Sequence, residues 1–171
     1  MTQLGRVLVS GSLASVAAAI ALATASRLEG RSGAAPLNAT SHWLHGDGAA
    51  AQEEADVAHT GVGFATHHLA AILWAGLFET LRKYSPRTDV TAVARDAGIA
   101  AATAAVVDYV FTPHRLTPGW ELVLSKKSMA VAYVAMAAGF LAAEAMLPKR
   151  PSAQPDEERR FARSPRSNSS K

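Results

Sequence analysis

The stretch VLVSGSLASVAAAIALATA, Val7 to Ala25, runs for 19 residues without a charged side chain, with Arg6 just before it and Arg27 just after. A helix of that length rises about 28 Å, close to the ~30 Å hydrocarbon core of a bilayer. A soluble helix would need a broad polar face, and this run has none. It therefore reads as a membrane span. A second reading is open, because Ala23-Thr24-Ala25 after a basic residue and an apolar run also has the form of a signal-peptidase site.

Three further segments extend the pattern. GVGFATHHLAAILWAGLFETL, Gly61 to Leu81, is apolar apart from His67, His68 and Glu79. Val90 to Thr112 has a short uncharged interior between Asp96 and Asp108. It is rich in alanine, so it needs neighbouring helices to shelter its carboxylates. Ser128 to Leu147 is apolar up to Glu144, and Pro148 ends it. The expected fold class is all-α: an integral membrane bundle of about four transmembrane helices. Residues 1–148 form the domain, with spans at about 7–26, 61–81, 90–112 and 128–147 and a polar outer loop at 27–60. Residues 149–171 form a disordered basic tail, rich in Pro, Ser and Arg and without apolar periodicity.

Composition agrees with this reading. Charged residues make up 18% of the chain, against about 25% in soluble domains. Cysteine is absent, which excludes disulfides, thiolate metal sites and thiol catalysis. The net charge of +3 lies mainly in the tail, and no basic patch is interleaved with aromatics, so no nucleic-acid partner is expected. Small residues recur at four-residue spacing: Gly11 with Ser15, Gly98 with Ala102, Ala135 with Gly139, and Gly139 with Ala143. Such pairs let helix backbones approach closely in lipid.

The cations set an orientation. Arg6, Arg82, Lys83, Arg87, Arg95, Lys149, Arg150 and the tail outnumber Arg27, Arg31, Arg115, Lys126 and Lys127. The bias places both termini in the cytoplasm. Lys126 and Lys127 then reach the outer interface by snorkelling.

The chemistry candidates are few. No nucleophile elbow, phosphate-binding loop or dinucleotide-binding glycine pattern is present, so no catalytic residue and no organic cofactor is expected. His67 and His68 lie inside a span, where ionisable groups turn toward the bundle interior. Neighbouring helix positions differ by about 100°, so the two rings cannot share one direction. The first reading of each is a neutral ring hydrogen-bonded to another helix; the second is a metal or proton role. Haem ligation would need a second histidine at similar depth, and the other spans contain none. Asp108 is expected to pair with Arg115 across the turn at Thr112-Pro113, with a role beside His67 or His68 as the alternative.

Five of the six histidines fall between residues 42 and 68. His42 and His45, three apart, would share a helical face. With Asp47 and His59 they form a conceivable outer metal site, so a metal ion is the alternative to no cofactor. Asp47 is also a candidate N-cap for the alanines that follow it. Trp43 and Trp120 read as interfacial anchors, Trp120 after the Pro118-Gly119 turn.

The strings APLNATSHW (Ala35–Trp43), HTGVGFATHH (His59–His68) and VDYVFTPHRLTPGWE (Val107–Glu121) resemble a group of small, Ala-rich proteobacterial inner-membrane proteins. The resemblance covers roughly residues 7 to 145 and implies a bacterial inner membrane and nothing about activity. A looser, architectural similarity is to the YagU-like inner-membrane proteins, which also place a His-containing span before a Pro-bearing connection and a final helix. That family is associated with acid tolerance, and no residue role carries over from it.

Two functions follow as expectations. The first is a non-enzymatic inner-membrane protein acting through helix packing or partners: the lipid bilayer, a second copy, or another membrane protein. The second is a proton- or metal-handling protein that uses the intramembrane histidines.

Overall fold

The computed structural model describes residues 1–85 and 87–150. The tail expected to be disordered lies, from residue 151 on, outside the described residues. Among the described residues there are six α-helices: α1 (Gln3–Leu28), α2 (Ala35–Thr40), α3 (His42–His45), α4 (Val62–Tyr84), α5 (Val90–Val106) and α6 (Lys126–Met146). Four stretches of the described residues are long and apolar enough to cross a membrane: Gln3–Leu28, Val57–Tyr84, Val90–Phe111 and Lys126–Met146. The protein is thus an all-α, multi-pass membrane bundle, as the uncharged runs predict.

Local signals set the helix ends. The Thr2 hydroxyl caps α1 by accepting from the Gly5 amide at 3.1 Å. Asp89 caps α5 through the Ala92 amide at 3.0 Å, and Ser125 caps α6 through Ser128. Asp56 caps a π-helical turn, Val57–Gly61, that leads into α4. A second π-helical turn, Val107–Phe111, continues α5. Span one begins four residues earlier than expected and takes in Arg6, because that charge is neutralised inside the bundle.

The long helices form a closed ring in which α1 and α5 each pack against α4 and α6, while α4 and α6 face each other across the diagonal and meet through side chains. Its interior is built from small residues. Ala14, Ala75, Ala97, Ala100, Ala104, Ala132 and Ala143 have no exposed surface. Phe78 and Phe140 fill the centre as a parallel stack, ring centroids 4.8 Å apart. Larger apolar chains point outward: Leu4, Ile20, Leu69, Leu73, Val134 and Val110 are all more than 60% exposed. Lipid is as apolar as leucine, so close helix contact in a membrane favours small residues inside and bulky ones outside.

Two of the small-residue expectations locate real contacts. A Cβ on Gly139 would lie 2.4 Å from the Ala14 Cα, and one on Gly11 would lie 2.7 Å from the Ile72 Cα. The Gly98 position instead opens onto empty space, so that pair takes no part in packing within the chain.

At the end carrying Met1 and Arg150, charged groups from all four long helices interlock. Arg6 meets Glu79 at 3.1 Å and also bonds Glu144. Arg150 meets Glu79 at 2.6 Å and Glu144 at 3.0 Å. Arg82 reaches Asp96 at 2.8 Å, and Arg95 holds the other Asp96 oxygen at 2.8 Å. The Ser10 hydroxyl donates to Glu79 at 2.6 Å. Burial raises the cost of an unpaired charge, so the buried members of this set are tolerated only with their partners present.

The opposite end corrects one expectation. Residues 27–60 form a folded cap instead of a polar loop. Asn38, fully buried, donates through Nδ2 to the Gln52 and Glu54 carbonyls at 2.8 and 3.0 Å and accepts from the Thr60 hydroxyl. These bonds fold the segment back onto α2. The Leu37 carbonyl rests directly over Gly63 of α4. Glu29, past the end of α1, accepts from the Ser125 hydroxyl at 2.6 Å, the Ser125 amide at 3.0 Å and the Ser128 hydroxyl, tying the cap end of α1 to the start of α6.

Candidate functional site

Beneath the cap lies a cavity of about 340 Å³. Its walls come from α4 (Thr66, His67, Leu69, Ala70, Ala71, Trp74), from α6 (Tyr133, Met136) and from Asp108 in the π-helical turn after α5. The roof is Thr40 and Trp43 from the cap, with Leu116, Thr117, Pro118 and Trp120 from the connection before α6. All three tryptophans of the chain line it.

The aromatic wall is continuous. Trp120 stands 5.8 Å from His67 and 5.5 Å from Tyr133, and Tyr133 is 6.3 Å from Tyr109, centroid to centroid. Trp120 is buried, and its indole N–H donates to Thr40 Oγ1 at 3.1 Å. Trp43 donates to Thr66 Oγ1 at 3.1 Å. The expectation that Trp120 sits at the interface is therefore corrected: a hydroxyl in the cap satisfies its polar edge, and the ring turns inward. Gly119 allows the approach. It has φ +78°, and a Cβ there would lie 2.4 Å from the Ala39 carbonyl oxygen.

The polar groups of the cavity are sparse. His67 Nε2 lies 3.0 Å from the Ser15 carbonyl oxygen on α1. That oxygen only accepts, so Nε2 carries the hydrogen and Nδ1 of the neutral ring keeps its lone pair. The structure thus gives His67 the interhelical hydrogen bond of the first reading, and it also places the ring on the cavity wall. His68 turns aside and stacks on Phe64, centroids 5.7 Å apart.

Asp108 does not pair with Arg115. Its Oδ2 accepts from the Tyr133 hydroxyl at 2.7 Å, while Arg115 Nε donates to the Trp43 carbonyl at 3.0 Å. The π-helical turn at Val107–Phe111 shifts the helical phase there, and Asp108 meets α6 instead of the connection that follows it. Among the described residues no arginine or lysine forms an ion pair with Asp108.

The expected outer metal set divides in two. His45 and His59 stack on each other, centroids 4.5 Å apart. His45 bonds the Ala58 carbonyl and His59 bonds Asp56. His42 turns the other way, toward Asp47 and toward His114 of the later connection. Asp47 accordingly does not cap the turn that follows it; its side chain faces His42 at 3.3 Å. Sequence spacing could not reveal His114 as the third member, because it lies far along the chain on another connection.

Comparison with protein-family models, with curated proteins and with solved structures returns no match.

Proposed function

We propose that this membrane protein is a binding protein, without chemistry of its own, for a small lipophilic organic cation held in the aromatic cavity beneath the cap. Asp108 carries the reading. It is a carboxylate in a cavity walled by Trp43, Trp74, Trp120 and Tyr133, with a tyrosine hydroxyl on one oxygen and no cationic side chain paired with it among the described residues. Aromatic faces attract a cation by about 0.5–2 kcal/mol each, more as water is excluded. The carboxylate supplies the counter-charge. A neutral ligand would gain only from the walls, and an anion would be repelled. His67 Nδ1 adds an acceptor for the N–H of a protonated amine.

The same reading places the protein in a bacterial inner membrane with both chain ends in the cytoplasm. The bias of Lys and Arg toward the end carrying Arg6, Arg82, Arg95 and Arg150 supports that orientation.

The test is a tryptophan-fluorescence titration of the detergent-solubilised protein. Benzyltrimethylammonium is compared with neopentylbenzene, its neutral carbon analogue. The cation is expected to bind at least tenfold more tightly, and Asp108→Asn to abolish the difference. Equal binding of the two, or a preference that survives Asp108→Asn, overturns the reading.

A further inference from the structure

We propose that His42, Asp47 and His114 form a binding site for one divalent ion of the zinc class, which would pin the two halves of the cavity roof together. The argument starts from a hydrogen bond. His42 Nε2 lies 3.0 Å from the Thr117 carbonyl oxygen, which can only accept. Nε2 therefore carries the hydrogen, and Nδ1 of the neutral ring presents a lone pair. That lone pair points at a carboxylate oxygen, Asp47 Oδ1, 3.3 Å away. Two lone pairs do not face each other without a positive charge between them. The charge is either a second proton on the ring or a metal ion.

The separation suits an ion, and a third residue completes its ligand set. Two ligands of a tetrahedral zinc ion, each about 2.0–2.1 Å from the metal, lie roughly 3.3–3.4 Å apart. The observed 3.3 Å matches the edge of the tetrahedron. His114 supplies the third ligand. Its ring stands at 90° to that of His42, centroids 5.7 Å apart, and one ligand atom from each of the three residues lies within 4.8 Å of the others. His42 is buried and fixed, whereas Asp47 and His114 are exposed and can close the remaining gap by side-chain rotation. Donation of the other His42 nitrogen to a backbone carbonyl is the outer-shell bond that metal-ligating histidines make. With three protein ligands, water fills the fourth position.

The site joins two segments that are distant in sequence. His42 and Asp47 flank Trp43, and His114 precedes Leu116, Thr117 and Pro118; all four of these neighbours line the cavity roof. An ion held here fixes one half of the roof to the other. This inference is independent of the cavity's ligand.

The experiment is calorimetric titration of the full chain, purified in mild detergent without a polyhistidine tag and stripped with chelator, using Zn²⁺ and then Mg²⁺. One Zn²⁺ per chain is expected, with a rise in thermal midpoint and no response to Mg²⁺. His114→Ala and Asp47→Asn should each weaken Zn²⁺ binding at least tenfold while leaving the metal-free midpoint unchanged, since both side chains are exposed. His45→Ala and His59→Ala should bind as the parent does. Co²⁺ should give the intense visible bands of a tetrahedral site, lost in His114→Ala. No stoichiometric Zn²⁺, binding indifferent to His114→Ala, or binding lost in the His45 and His59 variants each overturns the proposal.

Discussion

Arg6 and Glu79 stand 73 positions apart in the chain, and Arg6 Nε donates to Glu79 Oε2 at 3.1 Å with the glutamate fully buried. The same oxygen accepts from Arg150 at 2.6 Å, and the other accepts from Ser10. One carboxylate therefore ties the start of α1 to α4 and to the segment after α6.

Glu79→Gln leaves Arg6 and Arg150 short of a counter-charge in a buried site. Breaking one side of a buried pair costs about 3–5 kcal/mol. A loss near the lower end of that range is expected, since Glu144 remains for both arginines. Equilibrium unfolding in mixed micelles measures it. A loss below about 1 kcal/mol, the range of solvent-exposed pairs, would mean that water reaches these charges.

The α1–α6 contact gives the second prediction. A side chain at Gly139 would drive its Cβ into the Ala14 backbone, with Cα at 2.4 Å and the nitrogen at 2.8 Å. Backbone cannot retreat as a flexible side chain can. Gly139→Val should destabilise the bundle by about 1–3 kcal/mol, the usual range for overpacking, in the same unfolding assay. Gly98→Val, facing open space, should stay within about 0.5 kcal/mol of the parent.

These contacts also show what the sequence could convey. A 19-residue uncharged run has one economical physical solution, so the spans were legible to within four residues at each end. Gly11 and Gly139 were legible as packing positions, because small residues in a membrane helix serve close approach. The cap was not. The Gln52, Glu54 and Thr60 groups that satisfy Asn38 are brought to it only by folding. Asp108 illustrates a different failure. Spacing of seven residues pointed to Arg115, but a π-helical turn changed the phase and a tyrosine from α6 was nearer. The cavity was hidden for the same reason: Trp43, Trp74 and Trp120 are far apart in sequence, and an indole suits an interface as well as a pocket.

Acidity should loosen the cap before the bundle. Hydrogen bonds from the Ser125 hydroxyl, then from Ser128, hold the Glu29 carboxyl below its usual range. The Ser32 amide, then Arg31, does the same for Glu53. A lowered folded-state value means that the stabilisation is fully present above the unfolded value, about 4.3, and is lost as pH falls below it. Hydrogen exchange, corrected for its intrinsic pH dependence, should show weaker protection of residues 29–54 at pH 3.5 than at pH 6. Glu29→Gln combined with Glu53→Gln should reduce that difference, and Asp56, held low by the His59 amide and then Gln52, carries the remainder. An unchanged pH response in the double variant would assign the effect to other groups.

Among the contacts that dock the cap on the bundle, one is a close approach of backbone to backbone. A Cβ on Gly63 would lie 1.7 Å from the Leu37 carbonyl oxygen and 2.7 Å from its carbon. Both atoms belong to the backbone of α2, which Asn38 anchors through Gln52 and Glu54. Gly63→Ala therefore forces α2 away from α4. The four long helices keep their own contacts, so the cost, about 1–3 kcal/mol, falls on the cap. Expected are faster exchange in residues 35–52, a red-shifted tryptophan emission as Trp43 and Trp120 lose their roof contacts, and unchanged helical content. Gly61→Ala is the control: its Cβ would meet only the Val57 side chain, at 3.6 Å, an ordinary contact. If Gly63→Ala instead unfolds the whole bundle at the same denaturant as the cap, the cap and the four spans form one cooperative unit, and the cavity roof cannot open without them.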